Sequence, residues 1–103
     1  MKIYIAGPIT GTDDASDRFE AMARRIESYG HTPINPYYLG LAYPKGAHCE
    51  YLSLCFSLMK YADGILFMDG WKKSAGARME YSRAKAARLP IYFAVEELAG
   101  KRL

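Results

Sequence analysis

A chain of 103 residues, half of them hydrophobic, is long enough for one domain with a real core and too short for two. Fourteen Lys and Arg against eleven Asp and Glu leave a net charge of +3. Basic residues adjoin only at Arg24-Arg25, Lys72-Lys73 and Lys101-Arg102, so no stripe suits a nucleic-acid polymer. Cys49 and Cys55 form no C-x-x-C pair and have no histidine at ligand spacing, which favours buried free thiols over a metal site.

The first residues lack the layout of a signal peptide, and no apolar run approaches the roughly 20 residues that span a bilayer. A cytoplasmic protein with no membrane partner is expected. The mild basic balance is compatible with a small anionic ligand.

Lys2-Ile3-Tyr4-Ile5-Ala6 is β-branched and aromatic without clean alternation, which predicts a central strand. Gly7-Pro8-Ile9-Thr10-Gly11 ends it in a loop with two glycines. Asp13, Asp14 and Ser16 offer N-caps for a helix whose Phe19, Met22, Ala23 and Ile26 share a face, and Gly30 suits its C′ position. Thr32 to Asn35 predicts a short second strand, stopped by Pro36.

From Pro36 to His48 no periodicity holds; Tyr37, Tyr38 and Tyr43 lie in a glycine-punctuated loop of a length that is usually functional or mobile. Tyr51, Leu52, Cys55, Leu58, Met59 and Ala62 mark a second helix. Ile65 to Met68 predicts a third strand, and a helix capped by Ser74 follows to about Arg88, with Ala84, Ala86 and Ala87 suited to close packing on a sheet. Leu89-Pro90 breaks it. Ile91 to Val95 predicts a fourth strand, and Glu96 to Leu103 a short terminal helix or tail.

This alternation predicts a single α/β domain over residues 1–103, a flavodoxin-like three-layer sandwich with parallel strands in order 2-1-3-4. Ligands of such sheets bind beyond the strand C-termini where the order reverses, here Gly7 to Gly11 and Asp69 to Ser74. With Ser74 as N-cap, Gly76, Ala77 and Glu80 fall on one helix face, and the N–H groups of the first turn favour an anion. An ordinary capped helix with a solvated Glu is the plainer alternative.

Glu80 is the one carboxylate expected on an inward face at this point, and a carboxylate there is a competent nucleophile toward an anomeric carbon. Arg83, one turn on, either holds it ionised or points to solvent. Tyr4 either donates its hydroxyl to that carboxylate or packs as an ordinary sheet residue. Ser74 is a plain cap or a cap that also contacts phosphate. Gly7 and Gly11 bring backbone N–H groups toward a ligand, as many βα loops do.

Trp71, Tyr37 and Tyr38 are candidates to stack a base or to close the core. Asp69 binds a sugar hydroxyl or caps its turn. His48 is a lone histidine, more often structural or solvated than catalytic, and His31 is expected at the surface.

The segments Ile3 to Gly11, Asn35-Pro36, Gly70 to Glu80 and Pro90-Ile91 together resemble the nucleoside 2-deoxyribosyltransferase-like superfamily, and more narrowly its DUF4406 family. The Gly-Trp-x-x-Ser-x-Gly-Ala-x-x-Glu pattern carries most of the resemblance. It implies a homodimer or larger assembly and cleavage of the N-glycosidic bond of a 2′-deoxynucleoside or its 5′-monophosphate, with no cofactor. Glu80 then matches the nucleophile and Tyr4 the hydroxyl that orients it. Gly7, Gly11, Asp69, Trp71, Ser74 and Gly76 would line the substrate. Ser74 stands where the monophosphate hydrolases place a phosphate-binding Ser and the transferases an Asp for the sugar, which favours a nucleotide.

One departure matters. Active members of the superfamily carry an Asp eight residues before the position of Asp63, where it handles the proton on the departing base; this chain has Cys55. A thiol is a poor general acid near neutral pH, and such groups contribute on the order of 10²–10⁴-fold. Another group such as His48 takes that role, or solvent does, or the chain binds nucleotides without cleaving them. A binding module and a non-catalytic interaction protein are therefore rival expectations.

Overall fold

The computed structural model describes residues 1–8, 14–37 and 48–101, and only the backbone of residues 48–52. Four parallel strands form one sheet in the order β2-β1-β3-β4. They are β1 (Lys2–Ala6), β2 (Thr32–Ile34), β3 (Gly64–Phe67) and β4 (Ile91–Tyr92). The helices are α1 (Ala15–Ser28), α2 (His48–Met59) and α3 (Ala75–Ala86). The fold is the expected flavodoxin-like sandwich.

β1 and β3 are central because their apolar runs have two faces to bury. Ile3, Ile5, Leu66 and Met68 point to one side, where Phe19, Ala23 and Ile26 of α1 meet them together with Val95 and Leu98. Tyr4, Ala6, Ile65 and Phe67 point to the other, against Cys55 and Met59 of α2 and Ala84 of α3. Parallel strands covered on both faces have this continuous composition. Among the buried residues of β1, Tyr4 alone carries a polar side-chain group.

The ends of β1 and β3 are held together beyond their pairing. The Met68 amide donates to the Ala6 carbonyl at 2.8 Å. A Cβ on Gly7 would lie 2.9 Å from Met68 Cε, and Gly70 takes φ +86 beside Pro8. Glycine at 7 is thus accounted for by the closeness of the two strand ends, and glycine at 70 by a left-handed turn.

Several boundaries differ from expectation. α1 begins after Asp14, whose carboxylate pairs with Arg18 Nε at 3.0 Å and makes no side-chain cap. α2 starts three residues early, at His48, and ends at Met59. A 3₁₀ turn at Trp71–Lys73 separates β3 from α3.

α3 stops at Ala86, with Arg88 at φ 57. Ala84 faces the sheet, whereas Ala86 and Ala87 are exposed. β4 keeps only two residues because Glu97 Oε2 accepts from the Phe93 and Ala94 amides at 2.7 and 2.9 Å. The chain therefore leaves the sheet for a second 3₁₀ turn, Val95–Leu98.

His31 is not at the surface: it is 3% exposed. Gly30, at φ 86, closes α1 and turns the chain toward β2. Its Nε2 reaches the Leu98 carbonyl at 3.2 Å and its Nδ1 the Met1 amino group at 3.0 Å. A carbonyl only accepts, so Nε2 is the donor in the bond to Leu98. No helix among the described residues is long and apolar enough to cross a membrane.

Candidate functional site

Ala77, Glu80 and Ala84 form the buried stripe of α3. Two alanines let the helix approach the sheet, and the residue between them is a carboxylic acid. Glu80 is 6% exposed. Across from it, the Tyr4 hydroxyl of β1 donates to Glu80 Oε2. Residues 76 apart in sequence thus meet in the middle of the α2–α3 face, and of the two options for Tyr4 the structure takes the hydrogen-bonded one.

Burial pushes the Glu80 carboxyl up from 4.5 to about 7, and the Tyr4 hydrogen bond works in the opposite direction. Tyr4 is held well above its usual value, first by burial, then by the negative charge of Glu80, then by Cys55. The carboxyl therefore keeps its proton to a higher pH than a solvated glutamate does. Its neighbour stays protonated and able to donate.

Ser74 is the N-cap of α3. Its Oγ accepts from the Ala77 amide at 3.2 Å, and its own amide donates to the Trp71 carbonyl at 3.0 Å. The first-turn amides of such a helix lack intrahelical acceptors. Lys72, Lys73 and Arg78 stand exposed around this end, with Arg78 Nη1 donating to the Lys72 carbonyl at 2.8 Å. The sign of the charge and the direction of the helix dipole agree, and both favour an anion. Ser74 and Glu80 lie on one helix, at its cap and its second turn.

The other sequence candidates distribute as follows. Gly7 and Asp69 sit at the ends of β1 and β3, the first buried and the second exposed, and Gly76 is half-buried in the first turn of α3. Trp71 lies against Phe67, Tyr81 and Phe93, with ring centroids 4.9, 4.9 and 5.9 Å away. It closes an aromatic cluster on the β4 side. Tyr37 packs against the α1 core, 6.0 Å from Phe19.

Arg83 is exposed and its guanidinium stacks over Phe56 at 4.8 Å; among the described residues it is burial and the Tyr4 hydrogen bond that govern the Glu80 carboxyl. Gly11 and Tyr38, and the side chain of His48, lie outside the described residues. Among the described residues no three His, Cys, Asp or Glu side chains come together as a metal would require.

Sequence reasoning missed one contact. Cys55, a buried thiol 1% exposed on α2, packs in the same apolar cluster as Tyr4 and adds to what holds the tyrosine above its usual value. Its spacing to Met59 and Ala62, one and two helical turns on, was the available signal, because that stripe had to face the sheet residue opposite.

The geometry defines a parallel α/β domain with a buried Tyr–carboxyl pair under the C-terminal ends of its central strands. Over residues 1–93 the chain matches the family described as a domain of unknown function, DUF4406, and it belongs to that family. Comparison with curated proteins and with solved structures gives no match.

Proposed function

We propose that the chain is an N-glycosidase or 2-deoxyribosyltransferase of the nucleoside 2-deoxyribosyltransferase-like superfamily, acting on 2′-deoxynucleoside 5′-monophosphates or nucleosides. The observation that carries this reading is the Tyr4–Glu80 hydrogen bond at a buried point near the switch of strand order. A carboxylate buried at a cost and oriented by the Tyr4 donor is suited to attack, since the bond fixes one oxygen in place.

In the first step a Glu80 oxygen bonds to C1′ of the sugar as the C1′–N bond breaks. The bonding pair leaves with the base, which takes a proton. In the second step water, or a second base, attacks C1′ and the ester to Glu80 breaks, returning the carboxylate. The 5′-phosphate would rest on the first turn of α3 near Ser74, among Lys72, Lys73 and Arg78. Gly7, Gly11, Asp69, Trp71 and Gly76 complete the proposed substrate surround. These steps use side chains and water and call for no cofactor. A homodimer or larger homo-oligomer belongs to the same proposal.

Base release tests it. The protein is incubated with each 2′-deoxynucleoside monophosphate and the free base is followed by chromatography. Release that disappears in Glu80→Ala is expected; no release at high enzyme concentration, or unchanged release in Glu80→Ala, overturns the reading. A second reading, a nucleotide-binding module without turnover, is favoured by Cys55 in place of a carboxyl acid. It predicts calorimetric binding of the monophosphates with no base released.

A further inference from the structure

The two helices that follow the central strands β1 and β3 begin in the same way. Arg18 is the fourth residue of α1 and Arg78 the fourth residue of α3. Each amide donates at 3.0 Å to the carbonyl of its own N-cap, Asp14 in one helix and Ser74 in the other. Each side chain then turns back into the loop that leads from the strand. Arg18 Nη2 donates to the Pro8 carbonyl at 2.9 Å, and Arg78 Nη1 to the Lys72 carbonyl at 2.8 Å.

A cation in the first turn of a helix stands against the dipole, which favours acidic side chains there. Carbonyls of βα loops lie outside ladder and helix, and a guanidinium offers them donors in a planar fork. The bond back to the loop therefore accounts for arginine at both places. The two loops also reach each other: Pro8 Cγ lies 3.5 Å from where a Cβ on Gly70 would stand. Gly70 opens the Trp71–Lys73 turn that ends on the Ser74 cap.

We propose that Arg18 and Arg78 are paired positioning residues: from equivalent places in α1 and α3 they clamp the two loops that flank the switch of strand order. Arg18 fixes Pro8 against Gly70, and Arg78 fixes the turn that carries Lys72, Lys73 and Ser74. Arg78 thus frames the proposed phosphate position through a backbone carbonyl rather than as a ligand of the phosphate. The functional meaning of these clamps rests on the reading above, while their test uses no substrate.

Amide hydrogen exchange in Arg18→Met and Arg78→Met tests it, since methionine keeps an unbranched stem and removes the donors. The amides to follow are Trp71, Lys73 and Ser74, which donate to the Met68, Gly70 and Trp71 carbonyls at 3.2, 3.0 and 3.0 Å. Losing one such clamp should speed their local opening about fivefold. Arg78→Met should accelerate Lys73 and Ser74. Arg18→Met should accelerate Trp71, which lies on the other loop. The Arg88 and Leu89 amides, which close the far end of α3 at 3.2 and 3.0 Å, should keep the parent rate in both variants.

Acceleration of Arg88 and Leu89 by the same factor would mean a general loss of stability and overturns the proposal. So would an unmoved Trp71 in Arg18→Met, or unmoved Lys73 and Ser74 in Arg78→Met. Calorimetric loss of inorganic phosphate binding with the loop amides unmoved would make the arginines anion ligands and also overturn it. If a methionine variant fails to fold, glutamine, polar but too short to reach the carbonyl, is read in its place. Because exchange is measured on the free protein, absence of base release leaves this result standing, and the reverse also holds.

Discussion

At Glu80 stability and chemistry pull in opposite directions. The position falls in the buried stripe of α3, where alanine occupies the neighbouring turns, and an apolar residue would suit the packing. A carboxyl whose folded value is raised from 4.5 to about 7 holds its proton longer in the folded than in the unfolded chain. Its contribution to stability is fully present below about 4.5 and is lost as pH rises through about 7. The span corresponds to about 3 kcal/mol of lost stability at alkaline pH.

Glu80→Gln keeps an acceptor for Tyr4 and removes the buried charge. Urea denaturation should therefore show the variant more stable than the parent by about 2–3 kcal/mol at pH 8 and little changed at pH 4.5. A variant less stable at both pH values would contradict the buried-charge account. For the proposed reaction the sign is the reverse. The nucleophile must be ionised, so base release should rise with pH through about 7 and level off above it.

At the scale of elements, what could be read in advance is what local physics decides. β1 and β3 are apolar on both faces, and Ser74 leads three residues later to an amide it caps. Those features placed the sheet, its order and the start of α3. What escaped was decided by contacts distant in sequence. β4 was cut short by Glu97 taking two strand amides, and His31 was drawn inside by Leu98 and Met1. A Tyr–Glu pair 76 residues apart was legible only as one option among two until the topology brought β1 beside β3.

The same logic gives a test at the end of α3. The Arg88 amide donates to Lys85 and the Leu89 amide to Ala84, at 3.2 and 3.0 Å, which is the paired closure that usually ends on glycine. Here Arg88 occupies the left-handed position at φ 57, whereas α1 uses Gly30 for the equivalent closure. Arg88→Gly should raise the unfolding free energy by about 1 kcal/mol in denaturant titration, with base release unchanged because the residue lies on the far side of α3 from its N-terminus. A loss of stability would show that the arginine makes a contact worth more than the strain.

Taken as a whole molecule, the domain sets a Tyr–carboxyl pair inside an apolar layer and leaves the helix cap with its cations at the outer end of the helix that carries the carboxyl. The fold explains why these features coincide. Parallel strands direct their C-termini to one edge, and the helix that follows β3 starts at that edge, so its N-terminus lies there while Ala77, Glu80 and Ala84 face the sheet. A ligand anchored by phosphate at the first turn would present its sugar one turn deeper, to Glu80. Cys55, which the resemblance placed at an acid's position, lies buried in the same apolar cluster as Tyr4.

The central claim is that Glu80 bonds covalently to the sugar. Rapid acid quenching during turnover of a 2′-deoxynucleoside monophosphate, followed by peptide mass mapping, addresses it directly. The account predicts a 2-deoxyribosyl-phosphate adduct on the peptide carrying Glu80, absent when that residue is alanine. Base released by a Glu80→Ala variant with no adduct on that peptide in the parent would contradict it.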